Sequence, residues 1–419
     1  MRFSFLLLLA YPAFSAALMA AEAQEPRVID FRAPPHNYLD WQPQDRFARL
    51  QQKALKGEVR FDTSSDKAFL ASLLKELNIP VSSQIMVFSA SSLQSEIINP
   101  RNPRALYFNE DTYLGWVPGG LVEIIAADPV MGPMFYVFNR LRPGGPAPDV
   151  QRSAKCMNCH AGNATRRLPG LIAESLLVSR AGSSLETYRR DVQGHQIPLE
   201  LRFGGWHLTG GHNLTGHKAN VMGIPTNGKN EIVPVNPGQY SDLSLHLLPT
   251  SDILPHLIHE HQLGFENRLV HAIYTMRQLK HENQGPAAAA AKAEIEEIAQ
   301  ELARYITFAD EAKFPAKGIT GDPAYTRDFL GDRRATKDGF SLKDLDLKTR
   351  IFKHRCSYML YTDTWKEAPK ELKERVYYHM ALHLRDQPDA RHSHLQPGER
   401  LIIRGILKET MSDLPPWWR

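Results

Sequence analysis

Residues 156 to 160 read Cys156-Met157-Asn158-Cys159-His160. Two cysteines three apart, followed at once by a histidine, form the C-x-x-C-H pattern of c-type haem attachment. The spacing has a chemical reason. Each thiol adds to one vinyl group of the macrocycle, and two thioethers tie it down. On one helical turn the next residue then points its imidazole at the iron from the proximal side. The chain has 3 cysteines in 419 residues, and two of them sit here. Other chemistry uses the same two thiols, namely a redox dithiol or half of a zinc site. A zinc site needs two further ligands, and no second Cys or His pair follows at useful spacing. A thioredoxin-like dithiol ends a buried strand, and the polar run from Pro148 to Ser153 does not read as one.

The start of the chain agrees with the motif. Met1-Arg2-Phe3-Ser4-Phe5 leads into an apolar run, Leu6 to Ala10, and then to Ala21-Glu22-Ala23. A basic start, an apolar middle and small residues at the end predict a cleaved secretory signal over residues 1–23. Pro12 interrupts the apolar stretch, which argues against an uncleaved spanning anchor. No later segment reaches the roughly 18 uncharged residues that a spanning helix needs. The expectation is a periplasmic or secreted protein with no stable membrane insertion once the signal is removed. Haem attachment of this kind takes place outside the cytoplasm, so the two signals agree.

Composition sets the class. Hydrophobic residues make up 42% and charged residues 23%, which is ordinary for a globular chain. A formal net charge of +4 and no long basic run give no case for nucleic acid. Cys356 is left over and reads as a buried free thiol.

Working outward from the motif, periodicity predicts helices over Asp45 to Lys56 and Asp66 to Leu77, with a short strand near Gln84 to Phe88. Ala105–Phe108, Thr112–Val117, Val122–Ala127 and Met134–Phe138 predict a small antiparallel meander, followed by the loop Arg142-Pro143-Gly144-Gly145-Pro146. After the motif, Arg166 and Arg167 are either partners for haem propionates or a solvated basic turn. Residues 202 to 222 hold five glycines, Trp206 and the histidines His207, His212 and His217. Such a stretch is either a functional loop or a Gly-rich surface loop. Ser251 to about His281 predicts a long helix with Leu254, Leu257, Ile258, Phe265, Leu269, Ala272 and Met276 on one face. His261 falls in that face, as a hydrogen-bonded core histidine or as the second axial ligand of the iron. An Ala-rich helix from Gly285 to about Ala312, a loop-rich stretch from Lys313 to Asp344, and helices over Lys348–Tyr361, Pro369–Leu384 and Pro397–Met411 complete the chain. The expected fold is mainly α with a small antiparallel β meander, built on a helical haem-binding core. The expected divisions are 24–150 with the meander, 151–280 with the haem, and 281–419 as a C-terminal helical region.

Several stretches together resemble a known group. They are Ser92-Leu93-Gln94, Asn102 to Asn109, Gly115 to Gly120, Phe203-Gly204-Gly205-Trp206 with Thr209-Gly210, Glu260-His261-Gln262 with Asn267, and Cys356 to Tyr361. With a single C-x-x-C-H among them, most of the chain resembles the bacterial exported cytochrome c domain family, a largely uncharacterised group. The resemblance implies covalent haem c, electron transfer in the periplasm and no particular substrate. The family pattern places a His-Gly pair after the Gly-Gly-Trp segment, where this chain has His212-Asn213. The Glu-His-Gln match directs attention to His261.

The functional expectation is a mono-haem c-type cytochrome in electron transfer. Its cofactor ligands are Cys156, Cys159 and His160. His160 and His261 ligate the iron, with Met222, His212 and His207 as further distal candidates. Its partner is a redox protein or a small electron donor or acceptor. The alternative is a haem-dependent oxidoreductase, peroxidase-like or oxygenase-like, with an open distal site walled by Trp206 to His217. A dithiol oxidoreductase or metal module without haem is the third reading.

Overall fold

The computed structural model describes residues 27–139, 150–283 and 289–418. The signal segment, the loop from Arg142 to Pro146 and the start of the Ala-rich helix lie outside the described residues.

Two short helices precede the sheet: α1 (Arg46–Leu55) and α2 (Asp66–Glu76). Asp45 caps α1 by accepting from the Ala48 N–H, and Ser65 caps α2 in the same way through Ala68. A six-stranded antiparallel sheet follows in strict chain order, β1 (Ile85–Val87), β2 (Arg104–Phe108), β3 (Thr112–Trp116), β4 (Val122–Asp128), β5 (Gly132–Phe138) and β6 (Gln151–Arg152). Burial alternates along β4, and this sets the two faces apart. One face carries Ala105, Tyr107, Leu114, Trp116, Val122, Ile124, Met134, Tyr136 and Phe138, all buried. Phe47 of α1 stacks there on Tyr136 and Phe138, at 4.8 and 5.5 Å between ring centroids. The other face carries Leu106, Glu123, Ile125 and Val137, all half-buried.

The motif turn, α3 (Met157–His160), comes next. Two hairpins follow, β7 (Ser175–Val178) with β8 (Ser184–Arg189), and β9 (Val221–Thr226) with β10 (Lys229–Pro234). The long helix α4 (Ile253–Asn283) crosses the half-buried face of the sheet. Val270 fills the space over Gly132, and the Tyr113 hydroxyl donates to Gln262 Oε1. Helices α5 (Ala289–Ile306), α6 (Pro323–Leu330), α7 (Asp363–Glu367), α8 (Lys370–Leu384) and α9 (Pro397–Thr410) pack outside α4. Among the described residues no helix is long and apolar enough to cross a membrane.

The expected mainly α fold with a helical haem core does not hold. The chain is α+β, 37% helical and 16% strand, with the six-stranded sheet at its centre. Strands β1 and β6 extend the meander on both sides, and the motif rests on the sheet and not inside a bundle. Lys348–Tyr361 is not a helix either, apart from a 3-10 turn at Tyr358–Tyr361. Its apolar residues Ile351, Phe352, Cys356, Tyr358 and Met359 are buried by packing from several elements, so their spacing carries no helical meaning. Conversely α6 forms within the stretch expected to be loop, where Asp322 caps Ala324 and Tyr325 and Pro323 opens the first turn.

Candidate functional site

Strand β6 delivers the motif to the sheet. Gln151 and Arg152 pair with Val137 and Tyr136, and the Ser153 N–H continues the ladder to the Phe135 carbonyl. The chain then turns into α3. Met157 buries its side chain in the main core and anchors the turn, while Cys156 stays half-buried and Cys159 exposed. Both thiols are free. Burial pushes the Cys156 thiol above its ordinary range, against a smaller opposing effect from Ser153. A redox dithiol needs the reverse, a thiol held low by its surroundings.

His160 is clamped at two points by Gly170. The Gly170 N–H donates to the His160 carbonyl at 2.9 Å, and His160 Nδ1–H donates to the Gly170 carbonyl at 2.8 Å. A carbonyl can only accept, so the proton sits on Nδ1 and the lone pair on Nε2. Nε2 makes no hydrogen bond among the described residues. The imidazole lies 4.6 Å from the Phe135 ring between centroids. Burial lowers its pKa, with the Arg104 charge acting in the same direction. This is a neutral imidazole with a fixed tautomer and one uncommitted nitrogen. Iron-ligating histidines have that form, the other ring nitrogen being oriented by a carbonyl.

Gly170 is placed by close approach. A Cβ there would lie 2.7 Å from Thr165 and 2.8 Å from Asn267 Oδ1. Asn267 in turn brackets Leu171, accepting from its N–H and donating to its carbonyl, both at 2.8 Å. The returning segment is therefore locked to α4. We expect Gly170→Ala to cost about 1–3 kcal/mol by overpacking, read as a lowered urea midpoint.

The sheet offers a shelf beside these groups. Leu106, Ile125 and Val137 are half-buried apolar side chains on the motif's side, with Gly115 and Glu123 between Leu106 and Val137. Arg104 pairs with Glu123 at 2.6 Å on the same face, and its Nε is buried without a partner. Arg104 also contributes to lowering His259 on α4, after burial, His256 and Arg189. Two free thiols on one turn, an anchored imidazole with a spare nitrogen and an adjacent apolar shelf fit a covalently attached haem.

The other candidates lie elsewhere. His261 is fully buried, with Nδ1 2.8 Å from His195 Nδ1 and Nε2 2.8 Å from the Ser357 hydroxyl. Tyr305 and Phe308 stack on the pair, and burial pushes His261 down to about 3. Both ring nitrogens are committed, and no hydrogen bond or ring contact joins it to His160. Met222 packs with Phe88, Leu176, Val178 and Val235 in a separate small cluster. His207 leans on Phe88 beside that cluster. His212 and His217 face each other at 5.0 Å between centroids. Arg166 is bound to Glu301 and His271, and Arg167 is exposed. Among the described residues no group of three or more His, Cys, Asp and Glu converges as a metal site.

His259 was not among the residues singled out from sequence. It stands two residues before His261, and periodicity could not separate them. Every residue from Ile253 to Glu266 is buried, so this part of α4 has no polar face to mark a direction. No protein-family model, curated protein or solved structure matches the chain.

Proposed function

We propose that the protein is an exported mono-haem c-type cytochrome that transfers electrons. The observation that carries this reading is the His160 clamp, because it sets the tautomer that an axial ligand requires beside two free thiols. Cys156 and Cys159 would hold the macrocycle covalently, and His160 Nε2 would ligate its iron. The bound haem supplies one-electron cycling between ferric and ferrous states. The protein's part is to exclude water and hold the ligand still. Phe135 walls the imidazole, Leu106, Ile125 and Val137 offer an apolar floor, and the Gly170 carbonyl keeps the Nδ1 proton in place. The electron would pass to or from a redox protein or a small donor or acceptor outside the cytoplasm. The basic, apolar, small-residue start of the sequence supports export, and the resemblance to the cytochrome c domain family supports the cofactor.

The test is the purified full-length protein, made in a host with haem-attachment machinery. We expect one covalent haem per chain, a spectrum that changes reversibly on reduction and reoxidation, and no reaction with peroxide. A colourless protein would overturn the reading. A haem that turns over peroxide would replace the carrier with an enzyme.

A further inference from the structure

His259 is a buried imidazole that its surroundings leave without a hydrogen bond. It is 4% exposed. Its ring touches Phe108, Tyr113 and Trp206, at 5.2, 5.7 and 6.3 Å between centroids. It makes no hydrogen bond among the described residues, and its Nδ1 is buried without a partner. A neutral imidazole carries one N–H and one lone pair, and a protein interior normally satisfies both. The neighbouring histidines of α4 both find hydrogen-bond partners. His256 Nε2 lies 3.0 Å from both the His207 carbonyl and the Ser251 hydroxyl. His261 is committed at both nitrogens.

The position of His259 supplies what its bonding lacks. Strand register puts Phe135, Ile125, Tyr113 and Phe108 in one row across β5, β4, β3 and β2. His160 lies on Phe135 at one end of this row, and His259 lies on Tyr113 and Phe108 at the other. Two strand spacings, about 10 Å, separate Phe135 from Tyr113. On its other side His259 meets Trp206, which bridges to Val87, opposite Arg104. Leu106 stands on the same sheet face between those two contacts. Two imidazoles with uncommitted nitrogens therefore bracket one half-buried apolar shelf.

We propose that His259 is the second axial ligand of the haem iron, facing His160 across the Leu106–Ile125–Val137 shelf. The proposal rests on the haem-attachment reading and adds the coordination state. The iron would carry two imidazoles and no open position, which belongs to a carrier and not to a peroxidase. His261 would then be a structural residue, tied to Ser357 and His195.

The test uses the full-length holoprotein. We expect a low-spin ferric spectrum with the paramagnetic resonance signature of two imidazoles. His259→Ala should become high-spin while keeping its covalent haem, and free imidazole should return it to low-spin. His259→Met, which keeps an apolar filling of similar size, should stay low-spin with a raised midpoint potential. His261→Ala should leave the ligation unchanged. A low-spin spectrum unaltered in both His259 variants would overturn the proposal, as would a wild-type haem that is already high-spin. If His259→Ala fails to fold, the wild-type resonance spectrum and His259→Met still decide. A colourless wild-type protein would sink the haem reading itself, and this is seen before any variant is made.

Discussion

Changing Cys156 and Cys159 together to serine will abolish haem staining after denaturing electrophoresis, from one covalent haem per chain to none. Single variants should each keep one thioether and stain with an altered reduced spectrum. The expected loss is complete because thioether formation needs sulfur at each position, and nothing else nearby replaces it. Cys356 is the third thiol of the chain and is fully buried among core side chains. The polypeptide should remain folded. Cys159 is exposed, Cys156 is half-buried, and the turn is anchored by Met157 and by the Ser153 bond to β5. Circular dichroism of the double variant should therefore match the wild type while the colour goes. A dithiol enzyme behaves differently. It would be colourless from the start and would lose thiol–disulfide exchange in the same variant. Retention of covalent haem in the double variant would sink the assignment of these two cysteines.

Of the candidate site, the sequence shows the part whose spacing is fixed by chemistry. C-x-x-C-H fits in five consecutive residues, so the motif can be recognised whatever the tertiary arrangement. The partner of the motif was not legible, because it depends on packing. Strand β6 is two residues long and shows no alternation, yet its pairing with Tyr136 and Val137 puts the motif on the sheet. The central strands were read within a few residues, since Val122–Asp128 alternates buried and half-buried side chains, one face being more fully covered than the other. The hairpin β9–β10 carries its signal at the turn. Asn227 and Gly228 both have positive φ at its turn, the arrangement that an Asn-Gly pair favours. Helix α4 was placed within two residues, but its buried end hid which histidine points where. Just before the helix, Ser251 accepts from Met86 N–H and donates to the His207 carbonyl, and Asp252 takes the Leu254 N–H.

Between His259 and His261 lies the other group whose removal should have a large effect. Glu260 is 4% exposed and is held by two arginines that are themselves buried. Arg189, at the end of β8, donates to Oε1 at 2.7 Å, and Arg202 approaches Oε2 at 3.0 Å. The second contact is an ion pair without hydrogen-bond alignment, since Oε2 has no hydrogen-bond partner. Two cations and one anion thus share a dry site. Deleting the anion leaves two guanidinium groups facing each other with little water, and such losses cost about 3–5 kcal/mol. We expect Glu260→Ala to lower the urea unfolding free energy of the holoprotein by that amount. Adding Arg189→Met should return about 1–3 kcal/mol, because one of the stranded charges is removed with it. A cost below about 1 kcal/mol for Glu260→Ala would place the triad with exposed ion pairs and refute the argument. If His259 ligates a haem iron as proposed, the effect should also reach the iron. Arg202 donates to the carbonyls of His195 and Ile197, so the triad ties the loop carrying His195 to the turn of α4 that carries His259. Loosening that turn should broaden the low-spin signal expected of the proposed ligation before the protein unfolds. Arg189→Met alone, which leaves Glu260 paired with Arg202, should disturb it less.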